Sequence, residues 1–366
     1  METNNLDKKN NNDLLIKMVP VVVSSSNEYV PILSTCIESI KDNSSKEYLY
    51  EINILEHNIT EDNKRILNTQ FKNSNIKLNF INVKDKIAQL EKYVAESRFT
   101  INTFSRFFIP ELLPYEKCVY VDLDTIVLDD IKILYDTNLE DNYLAASIDS
   151  SFIGCCACDK RYIEYAHNTL KIPDIENYFQ AGVLVFNLQK MRENNIIRKC
   201  LNVLEDIQLH FADQCVYNYL FKNNVKYLEL NWNYQFNDCD RQKIKLKQNL
   251  PLKILEQYNN AYKNPKIVHY SSKNKPWFYP SEEYAQIWWG YARKTPFYEQ
   301  LLEGLTLRLI EQQKAVVDFW KNCLLYWLVK VLKCFSLGKV NKNLGKKQFE
   351  LKEKIRLAKE IIKNKQ

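Results

Sequence analysis

The sequence predicts an α/β protein: a mostly parallel, twisted sheet wrapped by helices, followed by a basic helical extension at the C-terminus. Three observations carry this. Short β-branched runs alternate with segments of helical spacing over the first 130 residues. The first of those runs, in "MVPVVVSSS", is apolar rather than alternating, as a strand buried on both faces is. Charge is concentrated at one end: residues 338–366 hold ten Lys or Arg against three Glu, a net of +7 in a chain whose total is +6.

The elements follow in order. "MVPVVVSSS" (18–26) is a Val-rich strand ending in small polar residues, and "YVPILSTCIESIKDNSS" after it has helical spacing and a Ser/Asn stop. "YEINILEHNI" (50–59) is a second strand. "TEDNKRILNTQFK" is a helix with Thr60 as N-cap and Asn63 where a capping box would want Glu. "IKLNFINV" (76–83) is a third strand, "TFSRFFIPELLP" a helix closed by Pro114, and "KCVYVDLD" a strand with two Asp at its carboxyl end. "YLAASIDS" (143–150) is a strand, "YFQAGVLVFNLQKMREN" (178–194) a strand leading into a helix, and "FADQCVYNYLFKNN" a helix. "VKYLELNWNYQ" reads as one more strand, and "PKIVHYSSKNKPWFYP" (265–280) as a short strand running into a polar loop. For 315–335 two readings stand side by side: an interfacial helix bearing Trp320, Tyr326 and Trp327 among lysines, or a helix packed on the core.

Composition excludes several functions. With 6 Gly in 366 residues and neither G-x-G-x-x-G nor G-x-x-x-x-G-K, no glycine-rich phosphate loop is present. Residues 1–337 are near neutral, so the basic tail is a local signal and no nucleic-acid partner is expected. The start, "METNNLDKKNNNDLL", is polar without an apolar core, which predicts a disordered segment rather than an export signal. Ten Cys then read as free thiols in a reducing compartment. "CCAC" (Cys155, Cys156, Cys158) has no matching Cys/His pair at zinc spacing and reads as packing or loop thiols.

Asp122 and Asp124 carry the chemistry. At positions i and i+2 of an extended chain they point to one side, and ligands of open α/β sheets gather at strand carboxyl ends. Three readings compete: a solvated acidic turn shared with Asp129 and Asp130, a phosphatase nucleophile in a D-x-D-x-[TV]-like "DLDTI", or a divalent-cation site. The phosphatase pattern belongs after a first strand and wants Thr or Val where Ile126 stands. The cation reading asks for further oxygen or imidazole ligands. His269, one of four His, ends the run "KIVH", and Lys275 in "KPW" follows six residues later, suited to a phosphate.

The blocks "SRFFIPELLP", "VYVDLDTIV", "AASID", "FQAGVLVFNL", "DQ" and "HYSSKNKPW", in this order over about residues 18–290, resemble glycosyltransferase family 8. The resemblance implies a single nucleotide-binding, GT-A-like domain and a metal-dependent retaining transferase. It would move glucose or galactose from a UDP-sugar to a saccharide acceptor of a surface glycolipid or polysaccharide. It implies Mn²⁺ (or Mg²⁺) held by Asp122, Asp124 and His269. It further implies that Lys275 contacts phosphate, Arg106 lies near the donor, and Asp149 and Asp213 bind donor hydroxyls. Gln214 would sit near the anomeric carbon as a catalytic group. Ser26, Gln180 and Asp122 complete the donor contacts.

The chain departs from the family pattern at four places. Ser26 stands where an acidic residue follows the first strand, "FNAG" is "FQAG" with Gln180, "DQD" is "DQC" with Cys215, and a Gly three after the metal His is Ser272. The base and sugar contacts change; the metal triad does not. The expected organisation is a disordered segment over 1–17, the transferase domain over 18–300 and a basic amphipathic helical region over 301–366. That region would bring a cytoplasmic enzyme to the anionic inner face of the cell membrane. The alternative is the same fold with a decayed site, serving as a carbohydrate-binding or scaffold protein.

Overall fold

The computed structural model describes residues 17–90, 101–235, 249–336 and 338–364; the expected disordered segment over 1–17 lies, but for Lys17, outside them. The chain divides into two compact units, 1–272 with 290–296 and 273–289 with 297–366.

The first unit is built on a seven-stranded sheet. Its strands are β1 (Lys17–Ser24), β2 (Tyr48–Glu56), β3 (Ile76–Asn82), β4 (Lys117–Val121), β6 (Leu144–Ile148), β7 (Phe179–Asn187) and β8 (Val225–Leu228), in the order β3-β2-β1-β4-β7-β6-β8. The β3-β2-β1-β4 half is parallel, and β6 pairs parallel with β8. Only β7 runs against both its neighbours. This is the mostly parallel sheet the apolar runs predict. Helices α1 (Val30–Asn43) and α2 (Glu61–Phe71) connect its first three strands. Thr60 caps α2 by accepting from Asn63 N, but Asn63 does not close a capping box. Its amide donates to Asn27 Oδ1 instead, tying α2 to the turn after β1.

One face of the sheet buries Val22, Tyr120, Leu184 and Phe186 against Phe104, Phe107, Phe108, Met191, Val216 and Tyr217. "TFSRFFIPELLP" differs in detail from the single helix expected. It is a 3-10 stretch, Ile101–Phe108, then a short α-turn, Ile109–Leu112, with Leu113 extended because Pro114 disfavours a helical residue before it. "VKYLELNWNYQ" is likewise not one strand. It breaks after β8 into a 3-10 turn, Leu230–Asn233, and re-enters a second sheet as β9 (Tyr234–Gln235).

That second sheet is small and has the order β5-β10-β9, with β5 at Thr125–Val127 and β10 at Ile267–His269. β5 follows the acidic pair directly and pairs antiparallel with β10, setting His269 opposite Thr125.

In the second unit, helices over Tyr298–Cys334 and Gly338–Asn364 fold back on each other. Ala315, Val329, Leu351 and Ala358 are buried along the hairpin, Lys359 covers the Phe319 ring, and Asn341 Nδ2 donates to Lys333 O and Ser336 O at the bend. Trp320 is 66% exposed and Trp327 58%, with Val317, Leu324 and Leu328 open beside them.

Replacing the α2 cap, Thr60→Ala, is expected to lower stability by about 1 kcal/mol. Urea unfolding should shift its midpoint with an unchanged slope.

Candidate active site and metal centre

The two sheets meet at the acidic pair. Asp122 leaves the carboxyl end of β4, its amide donating to Gly182 O (2.7 Å). Asp124 sits one step before β5, and its carbonyl accepts from Tyr270 N (3.0 Å). The β5–β10 ladder therefore fixes His269 beside Asp124. Its Nε2 lies 3.3 Å from Asp124 Oδ1 and 3.8 Å from Asp122 Oδ2. Ligand atoms of Asp122, Asp124 and His269 all fall within 4.8 Å of one another. Two carboxylates and an imidazole converging on one point fit a divalent cation of the Mn²⁺ or Mg²⁺ kind.

Asp122 divides its oxygens. Oδ1 accepts from Arg106 Nη2 (2.8 Å) and from Tyr120 Oη (2.8 Å), while Oδ2 faces His269. The Arg106 guanidinium is buried, lies 4.3 Å over the Tyr120 ring, and donates through Nη1 to Ala181 O (2.5 Å). Its Nε lies 2.9 Å from Asp213 Oδ2, but the Nε hydrogen is aimed at Thr103 O. The Asp213 contact is thus ionic, and that oxygen has no aligned donor. Burial pushes the Asp213 carboxyl up to about 7 against the opposing pull of Arg106, with Asp122 adding to the rise.

Asp149 and Gln214 form a second linked pair. Asp149 caps the helix Ser150–Cys158, its Oδ1 accepting from Phe152 N (2.9 Å), while Oδ2 accepts from Gln214 Nε2 (2.9 Å). Gln214 Oε1 accepts from Ala181 N (3.0 Å). Burial raises the Asp149 carboxyl, opposed by hydrogen bonds from Phe152, Gln214 and Gln235. Asp213 and Gln214 both sit in the first turn of the helix Ala212–Phe221, so β7 carries one edge of the site and this helix the other.

The remaining expected residues fall as follows. Ser26 follows β1, whose carboxyl end lies beside that of β4, and its hydroxyl donates to Glu28 Oε2 (2.7 Å). Gln180 points its side chain at Asn233 and at the Gly182 amide, not into open space. Lys275 opens a turn in the second unit, its carbonyl accepting from Phe278 N and Tyr279 N. Asp129 and Asp130 are structural: Asp129 pairs with Lys266, and Asp130 accepts from Tyr50 Oη (2.5 Å) and Ser45 N (3.1 Å). The cysteines of "CCAC" are free thiols, Cys156 buried and Cys158 exposed. In the family block "DQC", Cys215 is buried and contacts Tyr165 Oη (3.1 Å).

Gly182, Tyr120 and Asn233 belong to the site and are not among the expected residues. A signal existed for Gly182: an isolated glycine inside an apolar strand marks a close approach. A Cβ there would overlap His269 Cε1 and lie 2.8 Å from both Asp122 Oδ2 and His269 Nδ1. Gly182→Ala is therefore expected to drive the imidazole off the carboxylates and weaken divalent-cation binding about 100-fold or more, read by titration calorimetry with Mn²⁺. The overpacking should also lower the melting temperature by a few degrees.

Comparisons with known proteins agree with this geometry. The sequence profile of glycosyl transferase family 8 matches residues 20–280. General stress protein A of Bacillus subtilis is 26% identical over 275 residues, 71% of this chain and 88% of that protein. A putative glycosyltransferase of Haemophilus influenzae is 27% identical over 264 residues, 70% and 72% respectively. Among solved structures, the bifunctional glycosyltransferase WbbM matches with a TM-score of 0.69 and 30% identity, over 78% of this chain; the chain spans 51% of WbbM. The galactosyltransferase LgtC, solved with donor and acceptor sugar analogues, is alike in fold (TM-score 0.64, 24% identity, 76% of this chain and 96% of that one). Because the family match runs from within β1 to beyond β10, taking in both sheets and the acidic pair with its histidine, the chain is a glycosyltransferase and belongs to glycosyltransferase family 8.

Proposed function

We propose that the protein transfers a hexose, glucose or galactose, from a UDP-sugar to a saccharide of a surface glycolipid or polysaccharide, with retention at the anomeric carbon. The observation that carries the reading is the convergence of Asp122, Asp124 and His269. LgtC, a galactosyltransferase of the same fold solved with donor and acceptor analogues, supports the sugar-donor class. A bound Mn²⁺ would act as a Lewis acid on the charge that grows on the diphosphate leaving group.

The chain's own residues do the rest. Arg106 and Tyr120 hold Asp122 so that Oδ2 stays turned toward His269. Asp149, tied by Gln214 and by its own helix cap, and Asp213 offer fixed acceptors for sugar hydroxyls. Gln214, locked between Ala181 N and Asp149, presents its amide beside the anomeric centre to position and stabilise, not to form a covalent bond. Lys275 supplies a cation for phosphate, and Ser26 marks the nucleoside end. The two-carboxylate scheme of retaining glycosidases is not invoked.

Among the described residues no helix is long and apolar enough to cross a membrane. The open face of the C-terminal hairpin instead fits an anionic bilayer surface: exposed Trp320, Trp327 and Phe335 beside a lysine-rich partner helix. The protein would then act as a peripheral enzyme on the inner, cytoplasmic leaflet. Trp320→Ala with Trp327→Ala should reduce co-sedimentation with phosphatidylserine vesicles and leave transfer to a soluble acceptor unchanged. Undiminished sedimentation of the double variant would refute the surface role.

The transferase reading is tested by UDP release with Mn²⁺ across a panel of UDP-sugars. EDTA should abolish release, and Asp124→Asn should lower it by about 10²-fold or more. Donor binding without turnover in every combination would favour the decayed, carbohydrate-binding alternative.

A further inference from the structure

The buried side chains behind His269 define which of its nitrogens carries a proton. The hydrogen-bond chain starts at a backbone donor, whose direction is fixed. Gly182 N–H points at Gln180 Oε1 (2.5 Å), so the Gln180 amide must present its oxygen there. That same oxygen lies 2.6 Å from the Asn233 amide, which must therefore present Nδ2 as donor. Asn233 then has only its Oδ1 left for His269 Nδ1, at 2.9 Å. An oxygen acceptor facing Nδ1 requires the proton on Nδ1. Nε2 is left with its lone pair toward Asp124 and Asp122. All three side chains are more than nine-tenths buried, so no bulk water competes for these bonds.

We propose that Gln180 and Asn233 are positioning residues that fix the Nδ1–H tautomer of His269 and so hold Nε2 ready as a metal ligand. Gln180 thereby leaves the set of donor-sugar contacts. Its extra methylene relative to the family's Asn carries the amide oxygen to a point where both Gly182 N and Asn233 Nδ2 reach it. Tautomer control of this kind, by a group behind a ligating imidazole, is worth about 10–100-fold in metal affinity. The inference rests on the metal reading of the Asp122–Asp124–His269 group, but its first measurement does not.

With four histidines in the chain, ¹⁵N spectra of the metal-free protein can be assigned by His269→Gln. At a pH where the imidazole is neutral, wild type should show His269 protonated at Nδ1. Asn233→Ala and Gln180→Ala should lose that single tautomer and raise the Mn²⁺ Kd about 10–100-fold. Gln180→Glu keeps an acceptor oxygen for both donors and should retain the tautomer. If Gln180 were a sugar contact instead, Gln180→Ala would raise the donor KM at saturating Mn²⁺ and leave the tautomer and the Kd alone. That result, or a wild-type proton on Nε2, overturns the proposal. A fixed Nδ1–H tautomer in a protein that binds no divalent cation would sink the metal reading and leave the relay standing.

Discussion

The Arg106 guanidinium is buried between two carboxylates, Asp122 and Asp213, and stacked on Tyr120. A cation taken out of water is costly unless both its charge and its N–H groups are answered. Apart from Thr103 O, which takes the Nε hydrogen, the neighbours that answer it line the site. Asp122 gives up one oxygen to Arg106 and keeps the other for His269. Asp213, whose contact with Arg106 is ionic, starts the helix that carries Gln214, and Ala181 O accepts from Nη1 while Ala181 N serves Gln214. Removing the arginine would leave two acidic groups facing each other, so this part of the site is organised around one positive charge.

Much of this was open to reading in the sequence. The alternation of apolar strands and amphipathic helices gave the sheet its class, and Asp122, Asp124 and His269 stood at strand ends where ligands collect. Other features were invisible for physical reasons. "FQAGVLVFN" is buried on both faces, and an unbroken apolar run looks the same whichever way the strand points, so nothing marked β7 as the antiparallel member. Asn233 and Tyr120 read as ordinary strand residues because their importance lies in particular side-chain contacts, Asn233 with Gln180 and His269 and Tyr120 with Asp122 and Arg106. The break in "VKYLELNWNYQ" was hidden too, since both ends are strands and no Gly or Pro marks the 3-10 turn between them.

The reversal of β7 has a geometric use. Parallel strands bring their last residues to the ligand edge, whereas an antiparallel strand brings its first. Phe179 to Gly182 therefore arrive at the same edge as the end of β4. Period-two alternation then sends Gln180 and Gly182 toward the small sheet, while Ala181 turns its side chain to the core and offers its backbone to Arg106 and Gln214. A one-residue slip of β7 would exchange those roles at a stroke.

The small sheet has a consequence for biosynthesis. His269 reaches Asp124 only through the β5–β10 ladder, so a chain emerging from the ribosome carries the acidic pair long before it carries the strand that completes the ligand set. Until β10 has been made and paired, the nascent protein holds the two carboxylates without the imidazole, so the group of Asp122, Asp124 and His269 comes together only late in synthesis.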